Sequence, residues 1–174
     1  MKYGKSMKQY LLFNITAEVE SVPNIDNTKL AEEVLAYQKR RSEDPTNTQF
    51  EDTILLTPYG SEAKKLISYM SKFGEDSYHL SMNGFWSQIH HPLESTDTHY
   101  HGGNATKSWV YYVKVPNNSG DLLFLLDDKD DRSPKPSFKP VEGEFIIFDS
   151  YLRHKVTKNM SNDIRISIAG DFKV

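Results

Sequence analysis

"SWVYYVKVPNNSGDLLFLL", residues 108–126, decides the fold class. Two runs of β-branched, aromatic and aliphatic residues flank PNNSG (116–120), a cluster of turn formers. That pattern reads as two strands joined by a hairpin. Similar runs lie on either side: HLSMNGFWSQI (79–89), EFIIFD (144–149) and DIRISIAG (163–170), with KPVEGEF (139–145) as a further turn. Many short strands separated by turns predict a sandwich or barrel.

The first half reads differently. YLLFNI (10–15) is a candidate first strand. DNTKLAEEVLAYQKRR (26–41) places Leu30, Val34, Leu35 and Tyr37 near helical spacing, with Asp26 or Asn27 as cap. SEAKKLISYMSKFG (61–74) is a clearer helix. Ser61 can cap it, Ala63, Leu66, Ile67, Met70 and Phe73 form one apolar stripe, and Gly74 suits the C′ position. Two such helices are expected to pack outside the sandwich.

The 174 residues suffice for one domain with a sizeable core. With 37% hydrophobic and 12% aromatic residues the composition is globular. A formal charge of −3 gives no basic surface for non-specific nucleic-acid binding. The absence of cysteine excludes disulfides, thiolate metal sites and a cysteine nucleophile. No run has the length of a membrane span. The apolar part of MKYGKSMKQYLLFNI is too short and broken for a signal sequence, so a cytoplasmic protein is expected. DDKDDRSPKPS (127–137) lacks the glycine and glutamate of a calcium-binding EF-hand loop and reads as a solvated loop.

The residues that carry chemistry begin at DTHYHGG (97–103). Positions i and i+2 of a strand share a face, so His99 and His101 can reach one space, and neutral imidazole suits first-row metals. Asp97 shares that nominal face. Asp97 and His101 are four residues apart, roughly 13 Å on a straight strand, too far for one ion. The site is therefore His99 with His101, or Asp97 with His99, plus a distant ligand. His154, after the apolar run EGEFIIFDS, is the best distant candidate. His90 and His91 are adjacent and point to opposite sides of a strand, so they read as loop histidines, and His79 reads as structural.

Arg165 stands inside an apolar strand, where an unpaired guanidinium is costly. It shares a face with Ser167, while Ile164, Ile166 and Ile168 take the other. Arginine grips a carboxylate with two parallel hydrogen bonds, and a serine hydroxyl can add a third. The order is His-x-His, a long gap, His, then Arg-x-Ser.

In that order the sequence resembles the small Fe(II)/2-oxoglutarate-dependent oxygenases with a double-stranded β-helix, or jelly-roll, core. It is most similar to the short oxygenases related to prolyl 4-hydroxylase that are encoded by phages and marine bacteria. Trp86 stands thirteen residues before His99, like the family tryptophan before the first ligand. HYH takes the place of the first ligand motif, SWVYYVKVP and SGDLLF resemble the strands after it, KPVEGEFIIFDSYLRHKV matches the distal-histidine segment, and RISIA matches the cosubstrate-binding arginine segment. The likeness covers roughly residues 83–172. It implies a mainly β single domain, 1–174, in which 1–78 support a jelly-roll catalytic core at 79–174.

The family's commonest motif is His-x-Asp…His, and here His101 stands at the carboxylate position. The resemblance implies that His99, His101 and His154 bind Fe(II), with Asp97 as an alternative carboxylate. It further implies that Arg165 holds the far carboxylate of 2-oxoglutarate, with Ser167 or Tyr112 as extra donors and Gln88 facing the pocket. With O2 as the second cosubstrate, the chemistry is hydroxylation of a C–H bond. Two rivals stand beside it: a cupin-like three-histidine enzyme without 2-oxoglutarate, and a non-enzymatic jelly-roll binding or structural module. The direction in which Arg165 points discriminates between the 2-oxoglutarate oxygenase and the cupin-like enzyme.

Overall fold

Alternation along the strands builds two cores. The computed structural model describes residues 16–43, 60–126 and 135–174. One antiparallel sheet holds, in spatial order, β1 (Ala17–Ser21), β7 (Glu144–Asp149), β4 (Lys107–Lys114), β9 (Arg165–Lys173) and β2 (Ser81–His90). The facing sheet runs β3 (Thr96–His99), β8 (Arg153–Val156), β5 (Leu122–Leu125) and β6 (Ser137–Phe138). Every pairing is antiparallel. This is the expected jelly-roll, with helices α1 (Asn27–Glu43) and α2 (Ser61–Tyr78) on the outer face of the larger sheet.

Odd and even positions of each central strand go to different cores. Trp109 and Tyr111 of β4, Phe145 and Ile147 of β7, and Ile166 and Ile168 of β9 pack against Leu30, Val34, Leu66 and Met70 of the helices. Their neighbours Tyr112, Ile146 and Phe148 turn inward and meet Leu122, Phe124 and Val156 of the smaller sheet. A one-residue register slip would exchange these sets.

Several sequence expectations change in the folded chain. PNNSG is a turn, closed by Ser119 N–H donating to Pro116 O at 3.1 Å, but it joins strands of opposite sheets and is no hairpin. Turn residues dictate a reversal of the chain, not which sheet receives it. Helix α2 runs through Gly74 to Tyr78, and His79 takes the left-handed C-terminal position at φ 55°. Gly74 instead allows close approach: an added Cβ would stand 2.6 Å from the Phe172 ring. Ser61 does not cap α2. The cap residue is Gly60, and the Glu33 carboxylate of α1 accepts from the N–H groups of Glu62 (3.1 Å) and Ala63 (2.9 Å). An anion suits the positive end of a helix wherever it comes from. Asp26 does cap α1, accepting from Lys29 N–H at 3.1 Å. Leu35 is exposed rather than part of the stripe. The candidate strand 10–15 and the acidic run 127–131 lie outside the described residues. Among those residues, no helix is long and apolar enough to cross a membrane.

Candidate metal centre

Strand register brings the histidines together. His99 is the last residue of β3 and pairs directly with His154 of β8. His101 lies just past the strand end, where its N–H donates to Ser150 O at 2.9 Å. Ser150 also donates its N–H to Thr106 O and its hydroxyl to Ala105 O, so the turn after β7 anchors the segment that carries His101. Among the described residues, His99, His101 and His154 form the cluster suited to a metal, with one nitrogen of each within 4.8 Å of the others.

Each Nδ1 faces an acceptor. His99 Nδ1 lies 2.8 Å from Asp97 O, His154 Nδ1 lies 2.8 Å from Leu152 O, and His101 Nδ1 lies 2.8 and 3.0 Å from the Asp171 carboxylate oxygens. Carbonyls and carboxylates only accept, so Nδ1 is the protonated nitrogen of each ring. The three Nε2 lone pairs are left available, which is how metal-binding imidazoles are set up. Burial pushes the His154 imidazole down to about 4, so at neutral pH it is in the uncharged, ligating form. Phe148 packs edge-on against His154, and Trp86 stacks on His101 with centroids 5.3 Å apart.

Asp97, the alternative carboxylate, is exposed and outside the cluster. It serves His99 through its main-chain oxygen. His90 is not a loop histidine: it ends β2, buried, with Nε2 2.7 Å from Thr96 Oγ1, and burial lowers it to about 4. His79 is exposed and takes the left-handed position at the end of α2.

Arg165 points into the same pocket as the three histidines. It is 1% exposed, its NH1 donates to Gly120 O at 3.0 Å, and its guanidinium lies over the Tyr112 ring at 5.3 Å. Among the described residues no carboxylate pairs with it, and both its Nε and the Tyr112 hydroxyl are buried without a hydrogen-bond partner. Orphaned donors at this depth are costly unless an acceptor arrives. Gln88 and Ser167 line the pocket as well, Gln88 Nε2 donating to Thr96 Oγ1 at 2.7 Å. Trp109 belongs to the core beneath the helices, with no hydrogen-bond partner for its indole N–H. Two polar residues beside the histidines escaped sequence reasoning, Asp171 and Ser108. Asp171 carried a readable signal, since it shares the inward parity of Arg165 and Ser167.

Three imidazoles with free Nε2 atoms, beside a buried unpaired guanidinium, fit a metal that works with an anionic cosubstrate. Residues 84–171 match the family described as "Putative 2OG-Fe(II) oxygenase", and the chain belongs to that family. Fe(II) and 2-oxoglutarate are accordingly its cofactor and cosubstrate. The solved structures it is similar to carry the same fold. A Pseudomonas putida prolyl-4-hydroxylase is 17% identical, with 90% of this chain and 86% of that chain covered and a TM-score of 0.58. The viral collagen prolyl hydroxylase of Paramecium bursaria Chlorella virus-1 is 13% identical over 99% and 98%, with a TM-score of 0.63. The non-heme monooxygenase ThoJ in its nickel complex is 13% identical over 89% and 72%, with a TM-score of 0.66. No curated protein matches the chain.

Proposed function

We propose that this oxygenase is a dioxygenase that hydroxylates a C–H bond of its substrate, with His99, His101 and His154 as the Fe(II) ligands and Arg165 as the anchor of 2-oxoglutarate. The observation that carries the reading is Arg165, a buried cation with no carboxylate partner among the described residues, lining the pocket of the three histidines. A cupin-like enzyme without 2-oxoglutarate would need an anionic substrate to fill the same place.

When bound, iron and 2-oxoglutarate together activate oxygen, releasing succinate and carbon dioxide and oxidising the substrate. The residues orient and exclude. Arg165 offers Nε–H, and Tyr112 offers its hydroxyl, to the far carboxylate, while Ser167 adds a third donor on the same strand face. Phe148 packs on the His154 ring and Trp86 on the His101 ring, which limits water at those two imidazoles. The described residues of 79–174 form the catalytic core on this reading, and β1, α1 and α2 brace it.

The test is anaerobic titration with Fe(II), with and without 2-oxoglutarate, following the weak visible charge-transfer band of the chelate. The band is expected in the wild type and absent in His154→Ala. Iron binding without a band would favour the cupin-like reading, and no iron binding would remove the metal centre.

A further inference from the structure

The three histidines are not equivalent. His99 and His154 each donate Nδ1–H to a neutral main-chain oxygen two residues earlier in the chain. His101 alone donates to a carboxylate, that of Asp171, with both oxygens within 3.0 Å. The carboxylate is itself fixed: Ser108 Oγ donates to Asp171 Oδ1 at 2.7 Å, and the two residues face each other in the β4–β9 register. Only 14% of either side chain, His101 or Asp171, is exposed. The Trp86 ring closes the other side of the His101 imidazole.

We propose that Asp171 is the carboxylate of this metal centre, acting through His101 as a positioning residue rather than as a ligand. This rests on the three-histidine reading above. Three imidazoles give the iron no negative charge. An anion bonded to Nδ1–H makes Nε2 a stronger donor and holds the ring in one orientation and one tautomer. Asp171 thereby returns, one imidazole away, the charge that His101 displaces from the first ligand motif. Asp97 cannot do so, because its carboxylate lies exposed outside the cluster. Ser108 sets the carboxylate plane and so belongs to the same device.

The variants are Asp171→Asn, which keeps the shape and removes the charge, and Ser108→Ala, which keeps the charge and removes its brace. The probe is Fe(II), titrated anaerobically into the full chain, together with the potential of the bound Fe(III)/Fe(II) couple. Asp171→Asn should weaken Fe(II) binding by about 10- to 100-fold and move the couple to a more positive potential, since the anion stabilises Fe(III) more than Fe(II) and its loss removes that preference. Ser108→Ala should weaken binding by several-fold, in the same direction. A merely structural Asp171 would change the melting temperature and leave the potential of the bound iron in place. If wild type binds Fe(II), His154→Ala does not, and Asp171→Asn keeps wild-type affinity and potential, this inference alone is overturned. If Asp171→Asn does not fold, a Ser108→Ala chain with unchanged affinity and potential overturns it. A wild type that binds no Fe(II) overturns the three-histidine reading and this inference with it.

Discussion

Replacing Arg165 by alanine separates cosubstrate binding from metal binding. The guanidinium is 1% exposed, so solvent screening of its charge is slight. One terminal nitrogen is already engaged with Gly120 O at 3.0 Å, whereas Nε has no partner. An arriving carboxylate would pair with that free donor. Removing one partner of a buried, hydrogen-bonded charge pair costs about 2–5 kcal/mol. At about 1.4 kcal/mol per tenfold, that is roughly a 30-fold to several-thousand-fold loss of 2-oxoglutarate affinity. The Tyr112 hydroxyl survives in the variant and pulls the value toward the lower end. The assay is anaerobic calorimetric titration of 2-oxoglutarate into the Fe(II)-loaded chain. Fe(II) affinity and thermal melting are measured on the same sample, because the variant also frees the carbonyl oxygens of Ser119 and Gly120. Fe(II) affinity should stay near the wild-type value. Unchanged 2-oxoglutarate affinity in a folded, iron-loaded Arg165→Ala chain would refute the reasoning and remove Arg165 from the site.

Three further outcomes follow from the same geometry. His154→Ala should lose Fe(II) binding, measured by metal analysis after anaerobic loading and desalting, and full iron occupancy would show that the third ligand lies elsewhere. Burial holds His90 and His154 at about 4, below their ordinary value of 6.5. Between those values the unfolded chain takes up protons that the folded chain refuses, so the metal-free protein is fully stabilised above about pH 6.5 and loses stability as pH falls toward 4. The slope is about 1.4 kcal/mol per pH unit for each histidine, and urea unfolding at pH 7.5 and pH 5 that gives equal stabilities would contradict it. Gly170→Ala should destabilise the fold by about 1–3 kcal/mol. Its new Cβ would stand 2.7 Å from Gly84 O and meet the Trp109 ring, and a main-chain oxygen between paired strands cannot move aside. A melting temperature equal to wild type would show that the β2–β9 pair relaxes there.

What the sequence made legible was local periodicity. The parity of DIRISIAG placed Arg165 and Ser167 on one face and Ile166 and Ile168 on the other, and the folded chain has them in the pocket and beneath the helices respectively. The stripe of α2 was readable in the same way, with Leu66 and Met70 fully buried. What stayed hidden depends on residues far apart in the chain. Glu33 caps a helix about thirty positions away, Phe172 explains Gly74, and Asp171 meets His101 across seventy positions. PNNSG contains the residues of any tight turn, and only the arrangement of both sheets tells a crossover from a hairpin. His90 looked like half of a loop pair because adjacent histidines point to opposite sides of a strand, yet it lies opposite Arg165 across β2 and β9 and is buried.

On the three-histidine proposal, the same alternation explains how the centre would dispense with a direct carboxylate ligand. On β9 the inward positions run Arg165, Ser167, Ala169, Asp171, so one strand presents a cation at one end and an anion at the other, both facing the space between the sheets. With three neutral imidazoles, the centre would gather the two positive charges of iron and the one of Arg165. Asp171, together with Asp121 whose charge also acts on Arg165, offsets part of that, and 2-oxoglutarate brings two negative charges more. A conventional carboxylate ligand, added to Asp171, would set a further negative charge against that cosubstrate in a site of low effective dielectric. His101 and Asp171 are therefore coupled: converting His101 to aspartate alone places two carboxylates side by side, whereas pairing that change with Asp171→Asn removes the repulsion. Asp171→Asn should therefore change Fe(II) affinity by a different factor in the His101→Asp background than on its own, in the non-additive way expected of residues that share one bond. Strict additivity of the two changes would mean that Asp171 and the position of His101 do not share the same charge.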